Sequence, residues 1–369
     1  MSGVHPMKWA EVSLGALRGN VAAFRAAIGE GPQIMAMVKA GAYGHGGPTA
    51  AQALLDGGAA WLGVALPAEA LELRDAGIEA PILVVGWSHP DSHAALVEAG
   101  VDITVTSVGA VRSVRRAVRD HTRPARVQVK VETGMHRQGV DPGSLPDVLA
   151  AVVADAPHLQ LTGVFTHLAD ADGDDPAHAE GQHTRFLAAL DVARSLAPGP
   201  VLAHCANSAA ALRFPHTRHD LVRPGIALYG YPPANTPPLA VEPAMAVRAT
   251  VSHVHTVPEG ESVGYGCTWI APRDTRVATL AAGYADGVHR AQSNRGSVVV
   301  GGARCPIVGR VSMDQVTVDV SHLDGVAPGD VATLFGPELP AAEVAAVEGT
   351  ISYEVLCAVS ARVPRRFVA

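Results

Sequence analysis

A chain of 369 residues is long enough to form two domains, each with a core of its own. Hydrophobic residues make up 48% and charged residues 17%, and no apolar run approaches the roughly 20 residues that span a bilayer, so no membrane partner is expected. The net charge of −7 is dispersed, and there is no basic stripe interleaved with aromatics, so the sequence argues against a nucleic-acid partner.

The start, MSGVHPMKWAEVSL, has no basic region followed by an apolar stretch, so no secretory leader is read there. From residue 34 onward, short runs rich in Val and Ile recur, each followed by a stretch of helical periodicity. The strand candidates are residues 34–39, 61–66, 81–86, 102–107, 126–132, 161–167, 201–207 and 221–230. Amphipathic segments such as PAEALELRDAG, GAVRSVRRAVRD and HTRFLAALDVARSLA lie between them. Eight strands alternating with helices over about 200 residues predict an α/β fold, a (β/α)8 barrel of the TIM type, with a doubly wound open sheet as the runner-up.

The pattern changes after Tyr231. PPANTPPLAVEP is a proline-rich connection, and beyond it strands alternate without long helices: AMAVRATVSHVHTV, TRVATLAAG, GSVVVGG, CPIVGRVSM and QVTVDVS. A late helix, PAAEVAAVEG, and the segment ISYEVLCAVSARV close the chain. The expected division is therefore residues 1–238 as the barrel and residues 239–369 as a C-terminal, mainly antiparallel β domain.

Cys205, Cys267, Cys305 and Cys357 are far apart, with no C-x-x-C pair, so neither a zinc ribbon nor a disulfide scaffold is read and a cytoplasmic location fits best. No metal is expected. His89 and His93 stand four apart but lack the Glu of an H-E-x-x-H frame, and are read as surface residues. His253 and His255 alternate on a strand and are read as solvent-facing, and Asp170, Asp172, Asp174 and Asp175 as a solvated loop. Asp314 and Asp319 are read as supports for Met313 and the β domain.

Of the 28 basic residues only Lys8, Lys39 and Lys130 are lysines, so a lysine stands where only a primary amine will serve, although chance explains Lys8 well enough. Lys39 ends the first barrel strand. Lys130, Glu132 and Arg137 follow the fifth, His167 the sixth, His204, Asn207 and Ser208 the seventh, and Arg223 opens the eighth. Barrel active sites lie at the C-terminal strand ends. One amine, guanidiniums, imidazoles and small hydrogen-bonding groups there suit a phosphorylated aldehyde cofactor held as a Schiff base. Taken singly the signals are weak, since Asn-Ser before a helix is more often a plain N-cap.

AMVKAGAYGHG resembles the cofactor-lysine motif of the alanine racemase family. The likeness continues in order through KVETGMHR, GVFTHLADAD, HCANSAA, VRPGIALYG, SVGYGCTW, AAGYADGVHR, CPIVGRVSMDQVTVDV and GTISYEVLCAVSARVPR, covering residues 8–367. The resemblance implies pyridoxal 5′-phosphate (PLP) on Lys39, a homodimer with shared active sites, and racemisation of a small amino acid, alanine first. Lys39 would take the α-proton of the D-enantiomer, and Tyr265, from the partner chain's β domain, that of the L-enantiomer. Tyr43, Asn207, Ser208, Gly225, Ile226 and Tyr353 match phosphate-holding positions, His167 the ring-packing histidine, and Arg223 the partner of the pyridine nitrogen. Arg137, Met313 and Tyr284 match substrate-binding positions.

Lys130 matches a lysine that is carbamylated in many family members, where its negative charge holds the neighbouring arginine. The alternative is an ordinary Lys130–Glu132 pair. Glu132 and His136 depart from the Asp and Asn usual in the family, which leaves the Arg137 clamp and the substrate breadth open. The competing readings are a racemase of another small amino acid such as serine, a barrel-type PLP decarboxylase drawing on Cys267, Cys305 or Cys357, and a non-catalytic PLP carrier.

Overall fold

The computed structural model describes residues 5–118 and 123–369. They fall into two compact units: Leu17–Ala42 with Gly47–Val241, and Met1–Ala16 with Tyr43–Gly46 and Glu242–Ala369.

The chain opens on β1 (Lys8–Ser13), which belongs to the second unit. The first unit is the barrel. Its strands are β2 (Gln33–Met37), β3 (Trp61–Val64), β4 (Ile82–Val84), β5 (Asp102–Val105), β6 (Ala125–Lys130), β7 (Leu159–Phe165), β8 (Leu202–His204) and β9 (Leu221–Val222). They pair in parallel in the order β8-β7-β6-β5-β4-β3-β2-β9. The gap between β8 and β9 is spanned by a parallel bridge between Asn207 and Arg223, with Arg223 N donating to Ala206 O at 2.9 Å. All eight strand candidates read from the sequence are barrel strands. β9 is the shortest, because Pro224 removes a donor and the chain turns into a 3-10 segment, Ile226–Tyr229. Strands buried on both faces explain the near-continuous Val and Ile runs: β3, β4 and β5 are buried at every residue.

The second unit is an eight-stranded sheet. After β10 (Met245–Val257) come the small hairpin β11 (Ser262–Val263) and β12 (Trp269–Ile270), then β13 (Thr275–Leu280), β14 (Ser297–Val300), β15 (Ala303–Pro306), β16 (Val316–Asp319), β17 (Val331–Phe335) and β18 (Arg365–Val368). The main path runs β15-β14-β17-β10-β1-β18, with β13 and β16 branching from β10. Every pairing is antiparallel except β1 with β18. β1, β17 and β18 lie outside the strands read from the sequence, because each is short and is defined by its neighbours rather than by strict alternation.

Candidate active site

β2 delivers Lys39 to the C-terminal end of the barrel. The chain then makes one left-handed turn: Ala40, Gly41, Ala42 and Tyr43 have φ of 54°, 60°, 57° and 53°. For residues with a Cβ this costs roughly 1–2 kcal/mol each, so the turn needs outside support. Glu69 supplies part of it. One carboxylate oxygen accepts from Ala40 N at 2.6 Å, and the other from Ala65 N at 2.8 Å and Leu66 N at 3.0 Å. Tyr229 Oη donates to Met37 O at 2.9 Å and pins the strand just before Lys39.

Arg223 is the hub of the barrel site. Its Nη1 donates to His204 Nδ1 at 2.7 Å and to His204 O at 3.0 Å. Its Nη2 donates to Thr166 O at 2.6 Å, to Cys205 O at 3.2 Å and to His167 Nδ1 at 3.3 Å. All five acceptors are neutral. Burial lowers the guanidinium to about 10, which still leaves it a cation at neutral pH. Phe165 lies under the cluster, with its ring stacked 4.8 Å from His204 and the Arg223 carbon 5.4 Å above its centroid.

His204 is fully buried, and burial followed by Arg223 holds its imidazole well below the usual histidine range. Its Nε2 faces Gln128 Oε1 at 2.7 Å, and Gln128 Nε2 donates to Asp102 Oδ2 at 3.0 Å. Asp102 also accepts from Thr162 Oγ1 and from Arg126 Nε, each at 2.6 Å. A continuous chain of hydrogen bonds thus runs through the barrel interior behind Arg223. Asp102 and Gln182 are supports that sequence reading did not single out, and Gln128, which alternates with Val127 and Val129 on the same strand face as Lys130, has a partnership that the sequence did not show. Gln182 donates to His167 O and accepts from Ala169 N, fixing the turn after β7. The available signal for Gln128 was its place between Val127 and Val129 on the strand face shared with Lys130.

Lys130 ends β6, buried, with its ammonium 5.7 Å from the Phe165 centroid. Burial, then Arg223 and Arg137, lowers it to about 8. Among the described residues no carboxylate lies within ion-pair distance of it, so the Lys130–Glu132 pair is not formed. Glu132 instead accepts backbone N–H groups, at 2.5 Å from Gly134 and 2.7 Å from Met135. Burial raises that carboxyl, but the N–H groups of His136, Gly134 and Met135 outweigh it and hold it below its usual range. Arg137 and His136 are exposed beside it, with His136 at a φ of 51°. His167 is pushed well below its usual range by burial and then by Arg223, Arg137, Lys130 and Lys39. Four basic side chains therefore act on His167 at one end of the barrel.

Asn207 Oδ1 caps the following helix through Ala210 N at 3.0 Å, so the N-cap reading of Asn-Ser holds. Ser208 Oγ accepts from Gly225 N at 2.9 Å and keeps its own proton to donate; Ile226 follows at the head of the 3-10 segment.

In the second unit the Tyr43 and Tyr353 rings lie 6.1 Å apart, and burial, then Tyr353 and Cys357, raises the Tyr43 phenol. Tyr265 opens a one-turn 3-10 segment between Gly264 (φ 76°) and Gly266 (φ 74°), and 72% of its surface is exposed. Tyr284 N donates to Ser312 O at 2.9 Å and Ala285 N to Met313 O at 3.1 Å, which places Tyr284 beside Met313. A Cβ at Gly283 would sit 2.3 Å from Ser312 O, so only glycine permits that approach. Asp314 pairs with Arg362 at 2.6 Å, and Asp319 accepts from Ser321 N.

His253, His255 and His89 are exposed, as are Asp170, Asp172, Asp174 and Asp175. The surface reading of His93 is corrected: it is buried, and its Nδ1 lies 3.3 Å from Ser113 Oγ, because the opening turn of its helix faces the neighbouring helix. Lys8 is paired to the buried Asp286 at 2.7 Å.

The family model of the alanine racemase N-terminal domain matches residues 12–233, and that of the C-terminal domain residues 244–367. The alanine racemase of Desulforamulus reducens is 41% identical over 366 residues, covering 98% of each chain. That of Thermobifida fusca is 44% identical over 369 residues, covering 96% of each. The solved alanine racemase of D-cycloserine-producing Streptomyces lavendulae matches with a TM-score of 0.95 at 39% identity, over 99% of this chain and 98% of that one. The Bacillus anthracis enzyme with bound L-Ala-P matches at 0.93 and 36%, over 100% and 96%.

Proposed function

The chain belongs to the alanine racemase family, and from that membership we propose that it interconverts L- and D-alanine with PLP as cofactor, using Lys39 and Tyr265 as the two proton carriers. The observation that carries this reading is Arg223, a buried cation held by five bonds to neutral acceptors at the barrel end that also receives Lys39.

The donor set fits the cofactor. The phosphate would be met by Ser208 Oγ–H, the backbone at Gly225 and Ile226, the Asn207 amide and the phenols of Tyr43 and Tyr353. The excess positive charge at the barrel mouth favours both this phosphate and a substrate carboxylate. When bound, PLP supplies an electron sink next to Cα, which makes the α-proton removable.

Arg223 would face the pyridine nitrogen. As a guanidinium it would donate a hydrogen bond there without giving up its proton, and so would favour return of the proton to Cα over formation of a keto acid. His204 and the chain behind it hold the guanidinium in position. Lys39 would exchange the proton on one face of Cα and Tyr265 on the other. One base reaching both faces would have to turn around; two do not. Arg137, Met313 and Tyr284 would border the substrate carboxylate.

The lowered amine of Lys130 supports its carbamylation, because only a neutral amine adds CO2. The resulting carbamate would orient Arg137. Tyr265, Ile270 and Met313 are large apolar or aromatic side chains of the second unit that are each more than half exposed, and they support a homodimer in which Tyr265 completes the partner's site. No helix among the described residues is long and apolar enough to cross a membrane. The four free cysteines support a reducing, cytoplasmic location.

The test is L-alanine in deuterated water. This reading requires D-alanine deuterated at Cα. Release of CO2 would assign a decarboxylase instead, and neither product a carrier. A panel of L- and D-amino acids decides whether serine is also turned over.

A further inference from the structure

His183, Cys205 and His219 bring together two imidazole nitrogens and a thiol whose side chains the proposed active site does not use, although Cys205 borders that site through its backbone carbonyl, which accepts from Arg223 Nη2 at 3.2 Å. His183 lies on the helix Ala177–Leu196, Cys205 is the first residue after β8, and His219 precedes β9. Their donor atoms all lie within 4.8 Å of one another. The Nε2 atoms of His183 and His219 face each other at 2.9 Å. His183 and Cys205 are buried, and His219 is half-buried with a φ of 44°, in the left-handed region rarely used by a residue with a Cβ.

We propose that these three side chains form a zinc site with an open fourth position. Tetrahedral zinc holds nitrogen at about 2.0–2.1 Å and sulfur at about 2.3 Å, which sets ligand atoms about 3.4–3.6 Å apart. The two nitrogens, 2.9 Å apart, must open by about half an ångström, and the sulfur, within 4.8 Å of both, must close by no more than about 1.2–1.4 Å. Imidazole and thiolate ligands select zinc over magnesium or calcium, which require oxygen. Metal-binding imidazoles must be neutral, and burial first lowers both histidines, His219 to about 4.

The proton balance is defined. Burial raises the Cys205 thiol to about 12, and its S–H donates to Thr217 O at 3.2 Å. Binding replaces the S–H bond by an S–Zn bond and releases that proton to solvent. The imidazole carrying the Nε2 proton between His183 and His219 moves it to Nδ1, with no net change. Glu180 and His216, 3.0 Å apart and exposed to solvent, form a second cluster that shares His183. They give the ion a route in and place a carboxylate near the open position. The ion would tie the helix Ala177–Leu196 to the end of β8.

The test is zinc titration of the untagged holoenzyme by calorimetry in two buffers of different ionisation heat, with zinc-edge X-ray absorption on the loaded protein. The site requires one ion per chain, one proton released, and a sulfur shell at about 2.3 Å. Cys205→Ser and His219→Ala should each weaken binding by roughly tenfold or more. A shell of nitrogen and oxygen alone, or affinity unchanged in both variants, would overturn the proposal and leave an ordinary histidine–histidine hydrogen bond. If either variant fails to fold, the sulfur shell of the unaltered protein decides.

Discussion

Arg223 Nη1 and His204 Nδ1 are 2.7 Å apart, and because a guanidinium can only donate, Nδ1 must be the acceptor. The remaining imidazole proton is therefore on Nε2, where it is donated to Gln128 Oε1 at 2.7 Å. One contact thus fixes the tautomer of a fully buried histidine and the direction of every hydrogen bond behind it, down to Asp102.

That chain makes Gln128 a positioning residue. Gln128→Leu leaves the Nε2–H of His204 without an acceptor and removes one donor from Asp102. The expected loss is about 1–3 kcal/mol of stability in urea unfolding. A fall in kcat with little change in KM should accompany it, because the group disturbed is the mount of Arg223 and not the substrate clamp. Unchanged stability and kcat would exclude the relay.

Arg223→Glu replaces a fixed donor by a group that can protonate the pyridine nitrogen. Racemisation should fall by roughly 10²–10³. Pyruvate should accumulate from alanine as the cofactor is converted to its amine form, read by absorbance and by pyruvate assay. Loss of racemisation without any pyruvate would remove the proposed reason for an arginine here.

Lys130 gives a stability signature with a definite sign. Its amine is lowered from 10.5 to about 8 in the folded protein. Between these values the unfolded chain holds a proton that the folded chain does not. The cost to folding is therefore complete below about pH 8, shrinks as pH rises, and is gone above about 10.5. In CO2-free buffer, Lys130→Met should be more stable than the parent by about 1–2 kcal/mol at pH 7, with the gap closing towards pH 10. With bicarbonate present, intact mass should show one CO2 on the parent and none on the variant. Absence of the adduct would withdraw the carbamate.

Glu69→Ala removes the acceptor of three backbone N–H groups, including Ala40 N in the left-handed turn after Lys39. Cofactor affinity should drop by roughly tenfold, about 1.4 kcal/mol, measured by fluorescence titration of the apoenzyme. An unaltered affinity would mean the turn supports itself.

The barrel was legible because short runs rich in Val and Ile recur between helical stretches: continuous at 34–38 and 82–85, alternating with polar residues at 102–107 and 126–132. β1 and β18 were not, because they are defined by pairing with β10 and with each other across more than 200 residues of chain. The polar groups at strand ends could be named from their positions, but their partnerships could not: Gln128 and His204 are 76 residues apart, and Ala40 N and the Glu69 carboxylate that accepts from it are 29 apart. The left-handed turn at Ala40–Tyr43 was hidden for another reason. Only Gly41 has the residue type that such a backbone favours, so the turn is imposed by its surroundings and not by local propensity.

The two proton carriers are separated most directly by α-hydrogen exchange in deuterated water with Tyr265→Phe. This variant should still wash the α-proton out of D-alanine, through Lys39, while exchange from L-alanine and net inversion both fall by several orders of magnitude. Equal washout from the two enantiomers, or inversion at the parent rate, would contradict the two-carrier reading.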